Sequence, residues 1–448
     1  MKYAEFKKAV ASSAKRLGIE EYELYYSASE STSAEVFAHE INSFSSSLEG
    51  GVSFRCLVNG KMGYASTEEL SEDEADRIVA AAKDNALVLE TEEREFLVEG
   101  GKEYRQVGDG GYELPAAEEL VSRALEAQEA LYAADELVID GCQTETVSIR
   151  DTVAIMNSKG LDLTRETKLS LVYSCAVVSD GSEMNDSYEI KAGDFKKLDF
   201  SGIANKAVAD AKSKLNAGVA PTGSYPVVFA PKAMTSLLAA YSEVFSAESA
   251  RKGLSRLMGR EGEKIGSEKV TLVDDPFYED AAVKASFDAE GSPTCTKNVI
   301  ENGVLKTLLY NLKAAAAMGR ETTGNASKSG YASSVGIRPF TMYLAPGALS
   351  EEELIKKAGN GVYIDFLGGL HAGADPISGD FSLQSGGFMI ENGVKTEAVK
   401  NFTVAGNFYD LIGKITELSD KVELPGFDGI TSFGSPAVLV EGLSIAGK

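Results

Sequence analysis

The stretch Ile300-Glu301-Asn302-Gly303-Val304-Leu305-Lys306 predicts a two-residue β-hairpin. Both central positions of a type I′ turn need positive φ, and Asn-Gly between apolar runs is the strongest local signal for that turn. The pattern Ile-Glu-Asn-Gly-Val returns at 390–394, after a glycine-rich run at 368–387. Two copies of one hairpin lead us to expect a single antiparallel platform in this half of the chain.

The first half repeats an order of elements. Helical spacing of apolar residues at 3–17 and 115–133 marks two amphipathic helices, and each is followed by four predicted strands and a further helix. This order, helix, four antiparallel strands, helix, twice, indicates an internal duplication. Glycine and proline at 217–224 mark a boundary. We therefore predict an α+β protein, with a duplicated N-terminal α/β domain at 1–217 and a β-rich C-terminal domain at 218–448.

Composition limits the possible functions. The chain has 448 residues, 44% of them hydrophobic, and a formal net charge of −24, which opposes binding to phosphate backbones. We expect no direct binding to nucleic acid. No stretch has the pattern of a signal peptide or a membrane helix, so we expect a cytoplasmic protein with no membrane partner. The four cysteines form no C-x-x-C pair, which argues against a disulfide framework or a thiolate zinc knuckle.

Few residues suit catalysis. The sequence contains only two histidines, His39 and His371, in different halves, so no two-histidine metal motif can be written. His371 lies in a glycine-rich loop near Asp375 and Asp380, where it could be a ligand or general base. A loop histidine that bonds the backbone is the favoured alternative. The spacing of Gly319 and Gly324 resembles a phosphate loop, but Asn-Ala follows where Lys-Ser or Lys-Thr is needed, which argues against nucleotide binding.

Several motifs, in order and spacing, resemble the TldD/PmbA family. They are Phe287-Asp288 with Glu290-Gly291, Glu301 to Lys306, Thr323-Gly324-Asn325-Ala326, Ser378-Gly379-Asp380-Phe381-Ser382, Glu391-Asn392-Gly393, Gly406-Asn407 and the ending from Ser435-Pro436 to Ala446-Gly447. PmbA is also called TldE, and the family was formerly called modulator of DNA gyrase. The resemblance extends over nearly the whole chain.

The resemblance implies a cytoplasmic protease built from two related subunits. TldD carries HExxxH on a helix and a later cysteine ligand, whereas TldE lacks both. Counted back from Arg251-Lys252-Gly253, that helix falls at 238–243, which reads Leu-Ala-Ala-Tyr-Ser-Glu, and no cysteine follows Cys295. The chain therefore resembles the metal-free PmbA/TldE-like branch. This implies no catalytic or metal-binding residue, no cofactor, a zinc-bearing TldD-like partner or a homodimer, and unfolded peptides as substrate.

Three functions remain open. The chain could be the non-catalytic subunit of a zinc protease, a self-standing peptidase or hydrolase with a non-zinc nucleophile, or a regulatory binding protein that acts on gyrase. The first is favoured because nucleophilic catalysis usually needs a base within reach and only two histidines are available. For a peptide channel we predict eight residues in two loops: Thr323, Gly324, Asn325, His371, Gly373, Asp375, Gly379 and Asp380. These glycines could instead serve only tight turns, but we expect valine at 373 and 379 to weaken peptide processing without unfolding the chain.

Overall fold

The computed structural model describes residues 1–109, 111, 113–428 and 431–448. Its helices are α1 (Tyr3–Arg16), α2 (Glu72–Val88), α3 (Ala117–Ala134), α4 (Phe200–Lys212), α5 (Pro231–Tyr241), α6 (Ala247–Arg251), α7 (Leu312–Met318), α8 (Glu351–Ala358), α9 (Leu370–Gly373) and α10 (Phe408–Lys414). Its strands in the first half are β1 (Glu21–Phe37), β2 (Glu40–Val58), β3 (Lys61–Thr67), β4 (Gln143–Asn157), β5 (Asp162–Ser179) and β6 (Met184–Ala192). Those of the second half are β7 (Gly223–Phe229), β8 (Leu272–Asp274), β9 (Lys297–Glu301), β10 (Val304–Leu305), β11 (Ala326–Ser327), β12 (Gly336–Ile337), β13 (Thr341–Leu344), β14 (Gly361–Gly368), β15 (Asp380–Glu391), β16 (Val394–Asn407), β17 (Ile415–Leu418), β18 (Glu423–Asp428), β19 (Thr431–Ser435) and β20 (Val438–Ala446).

The first half forms one antiparallel sheet in the order β3-β2-β1-β4-β5-β6. Each half of this sheet is flanked by two helices, so the α+β class and the repeated order of elements are as predicted. Each repeat has three strands, however, and the prediction of four was wrong. Polar stretches such as Ala28–Ser33 suggest a gap between two short strands, but this stretch pairs on both sides within β1 and belongs to one long strand.

The second half contains two six-stranded sheets and a small two-stranded one, so the single antiparallel platform was wrong. The two Asn-Gly turns themselves are confirmed: Asn302 and Gly303 have φ of 49° and 79°, and Asn392 and Gly393 have φ of 51° and 77°. The first turn joins β9 to β10 in a sheet ordered β10-β9-β8-β13-β19-β18. The second joins β15 to β16 in a sheet ordered β16-β15-β14-β7-β20-β17. Turn chemistry determines the local pairing but does not determine which sheet the hairpin joins.

Apolar packing explains how the layers meet. One large cluster joins α5 to strands of both six-stranded sheets of the second half, and α8 covers another face through Leu354 and Ile355. In the first sheet, α1 to α4 cover one face. On the opposite face Tyr25 and Ile155 pack against Phe287 of the second half. This second face is therefore buried against the segment that follows β8.

In the part of the chain that the structure describes, no helix combines the length and apolar character needed to cross a membrane.

Candidate functional site

A cleft of about 410 Å³ lies along one face of α5. Tyr188 and Ile190 of β6 form one wall, and the segment from Ile337 to Pro339 contributes another. The face of α5 and the turn after it supply most of the remaining lining side chains, which are Lys232, Thr235, Ser236, Ala239, Ser242, Glu243 and Ser246. The cleft thus brings together an edge strand of the first sheet and a helix of the second half.

The sequence of α5 explains why one face of this helix is free. Pro231 occupies the first turn, where a missing N–H costs little. Met234, Leu237 and Tyr241 are buried in the core. Small and hydroxyl-bearing residues at the remaining positions leave room beside the helix, and a 3-10 turn at Ser242–Phe245 ends it.

Several polar side chains line the cleft, and most of their hydrogen-bonding groups are already engaged. The Lys232 ammonium donates a hydrogen bond to the Tyr188 carbonyl at 3.0 Å and lies 4.0 Å from the centre of its ring, and burial lowers the pKa of this lysine. The Ser236 and Ser242 hydroxyls donate to carbonyls of their own helix. Thr235 is 6% exposed, and its hydroxyl has no hydrogen-bond partner among the described residues. The cleft therefore offers apolar surface and the Glu243 carboxylate to a ligand, whereas the Thr235 oxygen is buried.

The three predicted residues Thr323, Gly324 and Asn325 lie beneath this cleft and do not line it. Asn325 is fully buried, and its amide donates to Asp274 Oδ2 at 2.7 Å and to the Arg338 carbonyl at 3.0 Å. The Thr323 hydroxyl donates to Asn325 Oδ1 at 2.8 Å. Arg338 lines the cleft, so the hydrogen bond from Asn325 to its carbonyl fixes the backbone of one cleft wall.

The other five predicted residues, His371, Gly373, Asp375, Gly379 and Asp380, lie in a separate segment that runs from α9 through a turn to the first residue of β15. Asp375 accepts hydrogen bonds from backbone N–H groups of that turn, and these bonds, the Ile377 N–H first, lower its pKa. Asp380 accepts from the Asn407 amide at 2.8 Å. Their role in binding peptide stays a prediction, and none of the five lines the α5 cleft.

The two glycines of that segment do not tolerate a larger residue. Gly379 has φ of +80°, and a Cβ there would lie 2.4 Å from the Tyr409 ring. A Cβ at Gly373 would lie 2.5 Å from the Ser382 carbonyl oxygen. The expectation that valine at these positions leaves the fold intact was therefore wrong.

Sequence reasoning missed the polar face of α5. Lys232, Ser236, Ala239 and Ser242 recur at helical spacing on the less buried face of α5, and this pattern of polar and small residues was a readable signal. The apolar positions alone predict the helix, but only the polar ones indicate its free face.

Comparisons with known proteins place this architecture in one family. Residues 222–447 match the PmbA/TldA metallopeptidase C-terminal domain, residues 22–86 match domain 1 and residues 113–215 match the central domain. A metalloprotease of Methanothermobacter thermautotrophicus is 31% identical over 85% of this chain and 84% of its own length. The chain therefore belongs to the PmbA/TldD metallopeptidase family.

Solved structures agree with this assignment. A Thermotoga maritima protein, provisionally described as a modulator of a DNA gyrase, aligns with a TM-score of 0.90 at 31% identity and covers 99% of this chain and 100% of its own. TldE from Thermococcus kodakarensis aligns with a TM-score of 0.89 at 25% identity, over 98% of this chain and 99% of its own. The family resemblance inferred from the sequence motifs is thus confirmed.

The residues at the expected metal position do not fit the zinc that the family implies. Leu238 is 2% exposed and belongs to the core, and Ala239 offers no ligand. Glu243 lines the cleft as a single carboxylate. Across the described ranges no three His, Cys, Asp or Glu side chains form a group that could hold a metal ion. Zinc needs three or four well-placed nitrogen, sulfur or oxygen ligands, and the side chains at this position do not supply them.

Proposed function

We propose that this chain is a PmbA/TldE-like, non-catalytic subunit that binds unfolded peptides for a zinc-bearing, TldD-like partner in the cytoplasm. The observation that carries the proposal is the α5 cleft. The resemblance implies that the corresponding helix of TldD bears zinc ligands. Here the helix borders an open cleft, and the only carboxylate at residues 238–243 is that of Glu243. A binding surface without a metal centre suits a subunit that holds a peptide and leaves the hydrolysis to another chain.

The lining of the cleft supports an extended and unfolded ligand. Extended peptides bind most simply by adding to an exposed strand, where main-chain hydrogen bonds give affinity without selecting a sequence. β6 is an edge strand of the first sheet, and two of its residues, Tyr188 and Ile190, line the cleft. Apolar side chains of the lining, such as Leu309, Ile337 and Phe433, add contacts that do not depend on the charge of the ligand. We therefore propose broad specificity for unfolded chains.

We propose the TldD-like partner subunit from membership of the family, without an observed contact between two chains. A TldD-like subunit, or a second copy of this chain, would complete the channel beside α5. We also propose that the chain divides into domains at 1–217 and 218–448, with the cleft between them, since β6 and α5 lie on either side of that boundary.

The test places a large residue in the cleft. Ala239→Trp should fill it and weaken binding of an unfolded, fluorescently labelled casein peptide, whereas Ala317→Trp on the exposed face of α7 should not. Activity should require a zinc-bearing relative, and Ala239→Trp should lower the activity of the mixture. If the chain alone cleaves the peptide, or if both variants bind it equally well, the proposal is wrong.

A further inference from the structure

A second cavity, of about 420 Å³, lies where the helix-free face of the first sheet meets the turn at 327–331. Tyr25, Asp151 and Arg165 line it from the sheet, and Phe287 and Lys328 line it from the second half. Arg338 lines both this cavity and the α5 cleft, so the two lie next to each other. Neither the family comparisons nor the α5 cleft accounts for this cavity.

The ammonium group of Lys328 contacts neutral side chains. Its Nζ donates a hydrogen bond to Ser53 Oγ at 2.7 Å and lies 4.5 Å from the centre of the Tyr25 ring. No carboxylate among the described residues lies within ion-pair distance of it. Burial, together with the positive charge of Arg55, lowers the pKa of Lys328 to about 8. A bound anion would favour the charged form of this partly buried lysine, because an opposite charge nearby offsets the cost of its desolvation.

Arg165 is the second cation of the cavity. Its Nη1 donates to the Phe287 carbonyl at 3.3 Å, and its guanidinium lies 5.5 Å from the centre of the Phe287 ring. Within the described part of the chain it too has no carboxylate at ion-pair distance. Arg55, by contrast, is buried nearby and contacts both Glu23 and Glu290. Among the described residues, carboxylates therefore contact Arg55 directly, whereas those near Lys328 and Arg165 act only from beyond ion-pair distance.

Within the ranges that the structure describes, the acidic side chains that line the cavity do not form ion pairs with Lys328 or Arg165. Asp288 already accepts three backbone hydrogen bonds, from Glu290, Ser292 and Ala326, so its oxygens face the protein. Glu49 is exposed, and Asp151 lies beyond ion-pair distance of Arg165 while its charge still favours the guanidinium. The chain carries 68 acidic against 44 basic residues, which makes two unpaired cations in one cavity unexpected on composition alone.

We propose that this cavity binds a carboxylate-bearing ligand, with Lys328 and Arg165 as its cationic anchors. Two sources share this chemistry: the free C-terminus of a short peptide, and a small organic acid. Charge-assisted hydrogen bonds from an ammonium and a guanidinium are the usual means of holding a carboxylate. The rings of Tyr25 and Phe287 bound the same space and would contact the apolar part of the ligand.

The experiment compares three probes on the full-length chain by calorimetry. They are a trialanine peptide with a free C-terminus, the same peptide as its C-terminal amide, and succinate. We expect the free peptide or succinate to bind, and Lys328→Gln to weaken that binding about tenfold or more, with Arg165→Gln acting in the same direction. Lys252→Gln, at a lysine whose side chain is 57% exposed, is the matched control and should bind as the wild type does.

Acylation of Lys328, measured against pH by peptide mass spectrometry, gives a readout that does not depend on a variant. A bound carboxylate should shift the reactivity of this lysine to higher pH and protect it from the reagent. Binding of the free peptide but not of its amide identifies a peptide C-terminus as the source, and binding of succinate alone identifies a small acid. Equal binding of amide and free acid, or no binding with the reactivity unshifted, would overturn the proposal.

Discussion

Replacing Arg55 with methionine tests how the first sheet is joined to the second half. Arg55 is 4% exposed; its Nε donates to Glu23 Oε1 at 2.8 Å and its Nη1 contacts Glu290 Oε1 at 3.3 Å. Glu23 belongs to β1, whereas Glu290 lies 235 positions from Arg55 in the sequence. Methionine fills similar space but leaves two buried carboxylates facing each other. Removing one member of a buried ionic cluster costs about 3–5 kcal/mol, so we expect a loss of this order in the free energy of unfolding at pH 8.

The loss should depend on pH with a definite sign. Burial raises the pKa of Glu290 above its unfolded value, and Arg55 opposes that increase. Without Arg55 the folded-state pKa rises further, so the folded variant binds more protons than the unfolded chain from about pH 4 to the new pKa. Its stability therefore falls as pH rises through that window. The difference between wild type and variant should be smallest near pH 5 and largest near pH 8.

Urea unfolding followed by far-UV circular dichroism measures both effects, since the chain has no tryptophan. Arg77→Met is the matched control, because the Arg77 side chain is 55% exposed and pairs with Glu74 on one helix, where solvent screening leaves such a pair little effect on stability. Adding Glu290→Gln to Arg55→Met should recover part of the loss, since glutamine still accepts the Leu312 N–H bond that Glu290 accepts at 2.8 Å. A loss below about 1 kcal/mol at pH 8, or one that does not change with pH, would refute the reasoning.

Three further predictions concern the site. Asn325→Ala should lower the free energy of unfolding by about 1–3 kcal/mol in a urea titration, because it leaves buried partners such as Asp274 without an amide donor; a stability equal to wild type would contradict the supporting role. Gly379→Val should lower the melting temperature, since it combines positive φ with a contact of 2.4 Å to Tyr409, whereas Gly413→Ala should change it little because the space there is open. Elemental analysis after dialysis should find no stoichiometric zinc, and chelator should not change peptidase activity; zinc lost together with activity would contradict the non-catalytic assignment.

The sequence predicted the parts of the fold that local chemistry determines. Asn302-Gly303 and Asn392-Gly393 require positive φ, and both turns form where the pattern placed them. In the first half, the positions of the four helices and their order relative to the strands followed from apolar spacing. Strand length was harder, because the polar run through Ser31 and Ser33 gives no local sign that neighbours β2 and β4 pair with it on both sides.

The site was less predictable than the fold. Asn325, one of the motif residues, proved to be buried and to bond Asp274 and Arg338, which indicates a supporting role, while a peptide contact by the motif stays a prediction. Lys328 lies in a polar loop with no distinguishing sequence pattern. Its neutral partners are Ser53, 275 positions away in the sequence, and Tyr25, which is farther still. Contacts at such separation leave no periodic pattern along the chain.

The two cavities divide the chemistry of the chain between them. The α5 cleft lies beside residues 238–243, where the resemblance to TldD leads us to expect the zinc ligands, and offers apolar surface together with the Glu243 carboxylate. The neighbouring cavity holds the unpaired charges, Lys328 and Arg165. An extended peptide needs main-chain and apolar contacts along its length, and a charged anchor only at its end. Arg338 lines both cavities. A peptide bound along the α5 cleft with its C-terminal carboxylate at Lys328 and Arg165 would therefore pass Arg338.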